Sequence, residues 1–217
     1  MKVVSLNVAL PSTQHYGGRE VLTGGAKRPV SRAMLRYENF EGDGQDQVNY
    51  GGPDKAVCVY PLDHYSHWEK ELDRKLPPAA MSENLTVSGA LETEVCIGDV
   101  FRVGETTVQI SQPRMPCNKL PGKNAERRLA KWVSRTGYTG FYTRVLSEGM
   151  VNAGGAFELI ERHPDRISIA DVNDVSYERS RDFALIECLT GMLKLAAGWR
   201  ALFAERFERV RRQRQWV

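Results

Sequence analysis

The sequence predicts a mainly β, barrel- or sandwich-like body over residues 1–165, followed by a small three-helix domain over residues 166–213. Three observations carry this. Short β-branched runs recur through the first part, Gly and Pro clusters punctuate them, and after His163-Pro164-Asp165 the apolar spacing turns helical.

The runs 3–8 and 55–60 are short and rich in Val. Residues 95–103 and 106–111 read as two strands joined by a turn at Gly104-Glu105, and 157–160 as a further strand. Turn signals fall at Gly17-Gly18, Gly24-Gly25, Gly51-Gly52-Pro53, Gly89, Gly98 and Gly154-Gly155, which favours a barrel or a sandwich. Two helices are expected within this part. Residues 61–72 open with Pro61 at the first helical position and space Tyr65, Trp68 and Leu72 helically; residues 124–134 do the same with Leu129, Trp132 and Val133.

In the C-terminal part, Ser168-Ile169-Ala170-Asp171 forms a capping box with Asp in place of Glu and opens a short helix to about Ser176. A second helix over 181–190 ends at Gly191 as its C-cap. A third over 194–212 sets Leu195, Trp199, Leu202, Phe203, Phe207 and Val210 on one stripe. Three short helices bury little core by themselves, so they are expected to cap the barrel of their own chain or that of a neighbour in a homodimer.

The chain has 217 residues, 41% hydrophobic and 26% charged, enough to bury a core without staples; disordered, collagen-like and disulfide-scaffold classes are excluded. Apolar runs such as 56–60 fall far short of the roughly 18 residues that cross a bilayer. The polar Asn7 comes too early for a signal-peptide core, so no membrane partner and a cytoplasmic location are expected. Cys58, Cys96, Cys117 and Cys188 are widely separated with no CxxC pair and are expected as free thiols. The net charge of +3 sits in residues 166–217, which hold ten Lys/Arg against seven Asp/Glu. That Arg-rich end has no interleaved aromatics and reads as a solvated helix terminus, so no nucleic-acid partner is expected.

The segment most suggestive of chemistry is Ser111-Gln112-Pro113-Arg114-Met115-Pro116-Cys117-Asn118-Lys119-Leu120. Prolines restrict the loop, and Arg114, Lys119 and Lys123 are cations that favour a thiolate at Cys117. A thiolate on a rigid loop is a nucleophile or a soft-metal ligand; a packing cysteine in a basic loop is the competing reading, and the residues alone leave both open. Cys58, Cys96 and Cys188 read as packing cysteines. The glycines of 40–45 and of Asn49-Tyr50-Gly51-Gly52-Pro53-Asp54-Lys55 allow backbone amides to approach an anion, with Lys55 adding a charge, although such glycines are more often plain turns. His64 and His67 lie three apart on an expected helix, but with no third ligand nearby they read as surface or packing histidines.

In order along the chain, Gly42-Asp43-Gly44-Gln45, Gly51-Gly52-Pro53-Asp54-Lys55-Ala56, Glu83-Asn84-Leu85, Ile97-Gly98-Asp99, Gln112-Pro113-Arg114-x-Pro116-Cys117-x-Lys119-Leu120 and the stretch 137–145 resemble the MOSC domain, named from the C-terminus of molybdenum cofactor sulfurase. The likeness is greatest to the YiiM-type members, whose three-helix extension matches 167–212. The resemblance implies a MOSC β-barrel that binds the molybdenum cofactor, with Cys117 as metal ligand. It further implies reduction of small N-hydroxylated substrates such as 6-N-hydroxylaminopurine to the amine, with electrons from a separate reductase.

On the same basis Arg114 and Lys119 contact phosphate or an oxo group, Lys27 binds the cofactor's phosphate, Gly51, Gly52 and Lys55 form pocket wall, and Glu83 and Asn84 hydrogen-bond cofactor or substrate. Asp43 is expected only to shape its turn. Tyr50 stands where relatives commonly have His; a phenol near pKa 10 does not shuttle protons as an imidazole near 6.5 does, though it donates a hydrogen bond, and Tyr50 is counted with Cys117 and Arg114 as catalytic. Ser82 replaces a glycine common before Glu-Asn-Leu. Two other classes remain open from sequence: a non-catalytic carrier of cofactor or sulfur using a Cys117 persulfide, and a nucleic-acid accessory protein using the Arg-rich end.

Overall fold

The structure is a computed structural model that describes residues 1–46 and 51–214. Twelve strands run in chain order: β1 (Lys2–Val8), β2 (Ser12–Tyr16), β3 (Arg19–Thr23), β4 (Arg28–Val30), β5 (Arg32–Leu35), β6 (Val57–Pro61), β7 (Leu85–Ser88), β8 (Val100–Val103), β9 (Thr106–Pro113), β10 (Phe141–Ser147), β11 (Gly149–Asn152) and β12 (Phe157–Glu161). Six helices accompany them: α1 (Tyr65–Glu71), α2 (Leu120–Lys123), α3 (Leu129–Thr136), α4 (Ile169–Ser176), α5 (Phe183–Gly191) and α6 (Ala197–Arg214).

Eight strands form one mixed sheet in the order β12-β8-β9-β10-β6-β7-β1-β4. The sheet closes on itself. Val3 N donates to Gly155 O at 2.9 Å, Gly154 N to Val3 O at 2.7 Å and Phe157 N to Met1 O at 3.1 Å, tying the start of β1 to the start of β12. Closure removes the free edges that a flat sheet would expose. Among the described residues the single parallel pair is β6 with β7, and a parallel pair needs a long crossover; α1 lies in that crossover.

The expected hairpin at Gly104-Glu105 is present between β8 and β9. Residues 95–99 are not strand as expected. They form a turn in which Asp99 accepts from Cys96 N at 2.8 Å, a local bond that competes with a sheet ladder. Pro61 ends β6 instead of opening a helix, and a 3-10 turn over Leu62–His64 leads into α1. Of the helix expected over 124–134 only the part from Leu129 forms, as α3; residues 124–128 are a turn, and the short α2 precedes them.

The C-terminal capping box forms as expected: Ser168 Oγ accepts from Asp171 N at 3.0 Å, and Asp171 accepts from Ser168 N at 2.9 Å. Asp182 caps α5, and Gly191 is its last helical residue; Met192 is the C-cap. The three helices do not stand apart from the barrel core. Ile169, Val172, Ile186, Leu189, Trp199 and Phe203 belong to the same apolar cluster as Val3, Leu6, Val108, Ile110 and Phe141. A second cluster, built on Tyr60, Trp68, Met81, Leu120, Leu129 and Val133, lies under α1–α3. Among the described residues no helix is long and apolar enough to cross a membrane.

Candidate functional site

Strand ends and the loops beside them converge on one cleft. Its wall includes Cys58 from β6, Asn84 just before β7, Arg114 and Cys117 just after β9, and Tyr142 from β10; the empty space, open mouth included, is about 730 Å³. Gly24 and Gly25 form the opposite wall, and a Cβ on Gly24 would collide with the Gly44 carbonyl, so only glycine lets these two segments meet.

The cleft is basic. Lys27, Lys55, Arg114, Lys119 and Lys123 all line it, against the carboxylate of Asp46 among the described residues. Lys27 pairs with Asp43, both side chains buried, and Lys119 pairs with Asp46 while donating to Leu22 O at 2.8 Å. Asp43 thus does more than shape its turn. One oxygen takes Lys27 and Ala9 N, and the other accepts from Asn84 Nδ2 at 2.8 Å. Asn84 in turn accepts from Cys58 N at 3.1 Å, so one buried network holds β6, the approach to β7 and the Lys27 loop in register.

Lys123 donates to Gly25 O, Ala79 O and Ser82 Oγ. Burial, together with the repulsion of Arg114 and Lys27 and against the attraction of Glu83, lowers its pKa to about 8. Arg114 is the unusual member. It is 4% exposed, yet its guanidinium has no hydrogen-bond partner among the described residues. Burial opposes its charge, but Cys58, Tyr142 and Cys117 outweigh that and hold its pKa above the ordinary arginine value. Five donors in a buried planar fork, facing a cleft and unpaired, are suited to an oxyanion.

Cys117 is half-buried, packs against the second apolar cluster and lines the same cleft. Its loop is held by Arg114 N donating to Gly140 O at 3.1 Å and Leu120 N to Cys117 O at 3.1 Å. Cys58, which the sequence suggests is a packing cysteine, also faces the cleft, across from Tyr142 on the neighbouring strand; burial raises the pKa of both groups. Neither was legible as a site residue, because each sits in an ordinary strand run.

The remaining expected site residues divide. Lys27, Lys55, Asn84, Arg114, Cys117 and Lys119 meet in the cleft. Gly51 and Gly52 line a neighbouring groove with Lys55. Glu83, expected to contact a ligand, does not line the cleft: it is fully buried behind it, accepting from Tyr65 Oη at 2.5 Å, Thr86 Oγ1 at 2.7 Å and Met81 N at 3.1 Å, and so braces these three residues. Tyr50 lies outside the described residues. His64 is held by Glu92 at 2.6 Å and stacks on Tyr138, and no group of three metal-ligating side chains occurs among the described residues.

Residues 46–158 match the MOSC domain. The chain belongs to the MOSC domain family. This MOSC chain is 49% identical to YflK of Bacillus subtilis over 210 residues, 96% of this chain and 95% of YflK. The crystal structure of YiiM from Geobacillus stearothermophilus is 35% identical, with a TM-score of 0.81 over 95% of this chain and 98% of that one. A Gibberella moniliformis protein named reductase is 33% identical over 156 residues, 68% of this chain and 27% of that protein. The MOSC family is associated with molybdenum cofactor binding. The donor set of this MOSC cleft fits such a group: an unpaired buried guanidinium and lysines for a phosphate, and a half-buried thiol for a soft metal.

Proposed function

We propose that this MOSC chain holds the molybdenum cofactor in the basic cleft, with Cys117 as a metal ligand, and reduces N-hydroxylated compounds such as 6-N-hydroxylaminopurine to the amine. The observation that carries the reading is a thiol and an unpaired buried Arg114 in one cleft. A soft sulfur donor and a hard oxyanion site side by side match a ligand with a sulfur-bound metal at one end and a phosphate at the other. The family membership and the reductase-named relative support an oxidoreductase-type role.

When bound, the cofactor would supply the two-electron redox chemistry that cleavage of the N–O bond requires, with Cys117 as the residue that would hold its metal. The overall change is one N–OH, two electrons and two protons giving one N–H amine and one water. Arg114, Lys27, Lys55 and Lys119 bind the phosphate and balance its charge. Asn84, fixed by Asp43 and Cys58 N, keeps that wall in place. Tyr142 lines the same cleft, and because burial raises its pKa its hydroxyl keeps its proton and serves as a hydrogen-bond donor to a substrate rather than as an acid. In this reading the electrons come from a donor outside the MOSC domain.

Purified protein, expressed with intact cofactor biosynthesis and given a chemical reductant, is expected to convert 6-N-hydroxylaminopurine steadily to adenine. Cys117→Ala is expected to abolish this. Full turnover by the variant would overturn the reading.

A further inference from the structure

The stretch 137–145 belongs to the sequence pattern of the family, yet only Tyr142 of it lines the cleft. Its first four residues are the link between α3 and β10, and they meet the cleft residues at Arg114. Arg114 is the first residue past β9. Its backbone N donates to Gly140 O at 3.1 Å, a rung that continues the β9–β10 pairing beyond the strands. Pro113 and Pro116 on either side have no N–H to give, which leaves the Arg114 N–H as the donor that ties the start of this segment to the barrel.

The link is gripped from two sides by buried polar side chains. On the α1 side, His64 stacks on Tyr138 with ring centroids 3.9 Å apart, and its Nε2 lies 2.6 Å from one carboxylate oxygen of Glu92. The other oxygen of Glu92 accepts from Gly140 N at 2.7 Å. On the α4 side, Asn173 Nδ2 donates to Thr139 Oγ1 at 2.9 Å and to Gly137 O at 3.2 Å. His64, Glu92 and Asn173 are all buried. Gly140 has φ +69, and a Cβ on it would lie 2.4 Å from Val59 O, so the link sits directly against β6. Burying a carboxylate beside an imidazole is costly, and apolar side chains would fill the same space at less cost. What the pair adds is a fixed acceptor for Gly140 N.

We infer that His64, Glu92 and Asn173 are positioning residues for Arg114: they fix the link, Gly140 O fixes the Arg114 backbone, and the guanidinium is thereby aimed at an oxyanion in the cleft. The path His64–Glu92–Gly140–Arg114 is continuous, with successive separations of 2.6, 2.7 and 3.1 Å. A planar fork binds an oxyanion bidentately only in the right orientation, so a small displacement of its backbone costs affinity. The C-terminal helices share in this, since α4 supplies Asn173 and its Ala170 N donates to Glu92 O at 2.9 Å. The inference rests on the reading of the cleft as an oxyanion site and holds whichever compound is reduced there.

The test is the affinity of the full-length protein for sulfate by isothermal titration calorimetry, in the wild-type and Arg114→Leu backgrounds. In the wild-type background His64→Leu, Glu92→Ala and Asn173→Ala are each expected to weaken binding about fivefold. Glu92→Gln, whose amide oxygen still accepts from Gly140 N and whose amide N–H faces His64, is expected to bind as wild type. In the Arg114→Leu background the same three variants are expected to change the remaining affinity less than twofold, because they act through Arg114. Leu189→Ala, a core truncation on α5, reports what lost stability alone does and is expected to bind as wild type. If Glu92→Ala does not fold, His64→Leu and Asn173→Ala carry the test. Unchanged affinity in the three variants, an equal loss in Leu189→Ala, or a fivefold loss that persists in the Arg114→Leu background overturns the inference. The two proposals fail separately. If Arg114→Leu weakens sulfate binding and the three variants do not, the positioning role falls and the oxyanion site stands; if the wild type binds no sulfate, or Arg114→Leu binds it equally well, the oxyanion site falls and takes the positioning role with it.

Discussion

Asn84 donates to Asp43 at 2.8 Å, and through that bond a residue preceding β7 fixes the partner of a lysine from a loop some sixty residues earlier. Both ends are buried, so the pair is a structural condition of the cleft and not a surface contact.

The first prediction follows from that pair. Asp43→Asn leaves the buried Lys27 without its countercharge, and breaking a buried ion pair from one side costs about 3 kcal/mol. Urea denaturation should show a loss of that order; a change under about 1 kcal/mol would mean that Lys27 is solvated and unpaired in solution.

Arg114 carries the oxyanion site. Arg114→Lys keeps a charge but loses the fork, and Arg114→Leu loses both. Sulfate binding followed by calorimetry should weaken at least tenfold in each, roughly 1.4 kcal/mol, with Lys giving little rescue. Wild-type-like affinity in Arg114→Lys would reduce the site to simple charge.

Lys123 makes the cleft sensitive to pH. With its pKa lowered to about 8, it is a cation at pH 7 and largely neutral by pH 9, whereas in the unfolded chain it stays charged to about 10.5. Sulfate, whose own charge is constant in this range, should bind about fivefold more weakly at pH 9 than at pH 7, the loss of roughly 1 kcal/mol of attraction. The folding linkage has the opposite slope: between pH 8 and 10.5 the unfolded state holds the extra proton, so this group adds to stability as pH rises. Lys123→Arg should flatten both profiles.

Ser82 adopts φ +65, in the left-handed region that favours glycine, which accounts for the glycine expected at this place in the family pattern. Its hydroxyl contacts Lys123 Nζ at 3.1 Å and offsets part of that strain. Ser82→Ala keeps the strain and loses the contact, so it should cost about 1 kcal/mol, whereas Ser82→Gly should be close to neutral in thermal unfolding.

Glu83 was read from sequence as a ligand contact because it stands in the Glu-Asn-Leu pattern beside Asn84. Its three acceptances from Tyr65, Thr86 and Met81 N come from residues whose proximity only the tertiary fold creates, or from a local turn that carries no distinctive signal. Cys58 was missed for the converse reason: a cysteine in a Val-rich strand looks like core until β10 brings Tyr142 across from it. The strands with strong β-branched runs, β1, β6, β8, β9 and β12, were legible. The β2–β3 hairpin was not, since Ser12–Tyr16 is polar and gains its structure from pairing with Arg19–Thr23. Cys117, Arg114, Lys119 and the capping box at Ser168 were readable because each is encoded in a few adjacent residues. The closure of the sheet by 154–157 against β1 depends on contacts across most of the chain.

Molybdenum content by elemental analysis, on wild type and Cys117→Ala expressed with intact cofactor biosynthesis, tests the central claim most directly. The account predicts near-stoichiometric metal in the wild type and its loss in the variant. Equal metal in both, or none in the wild type, would contradict it.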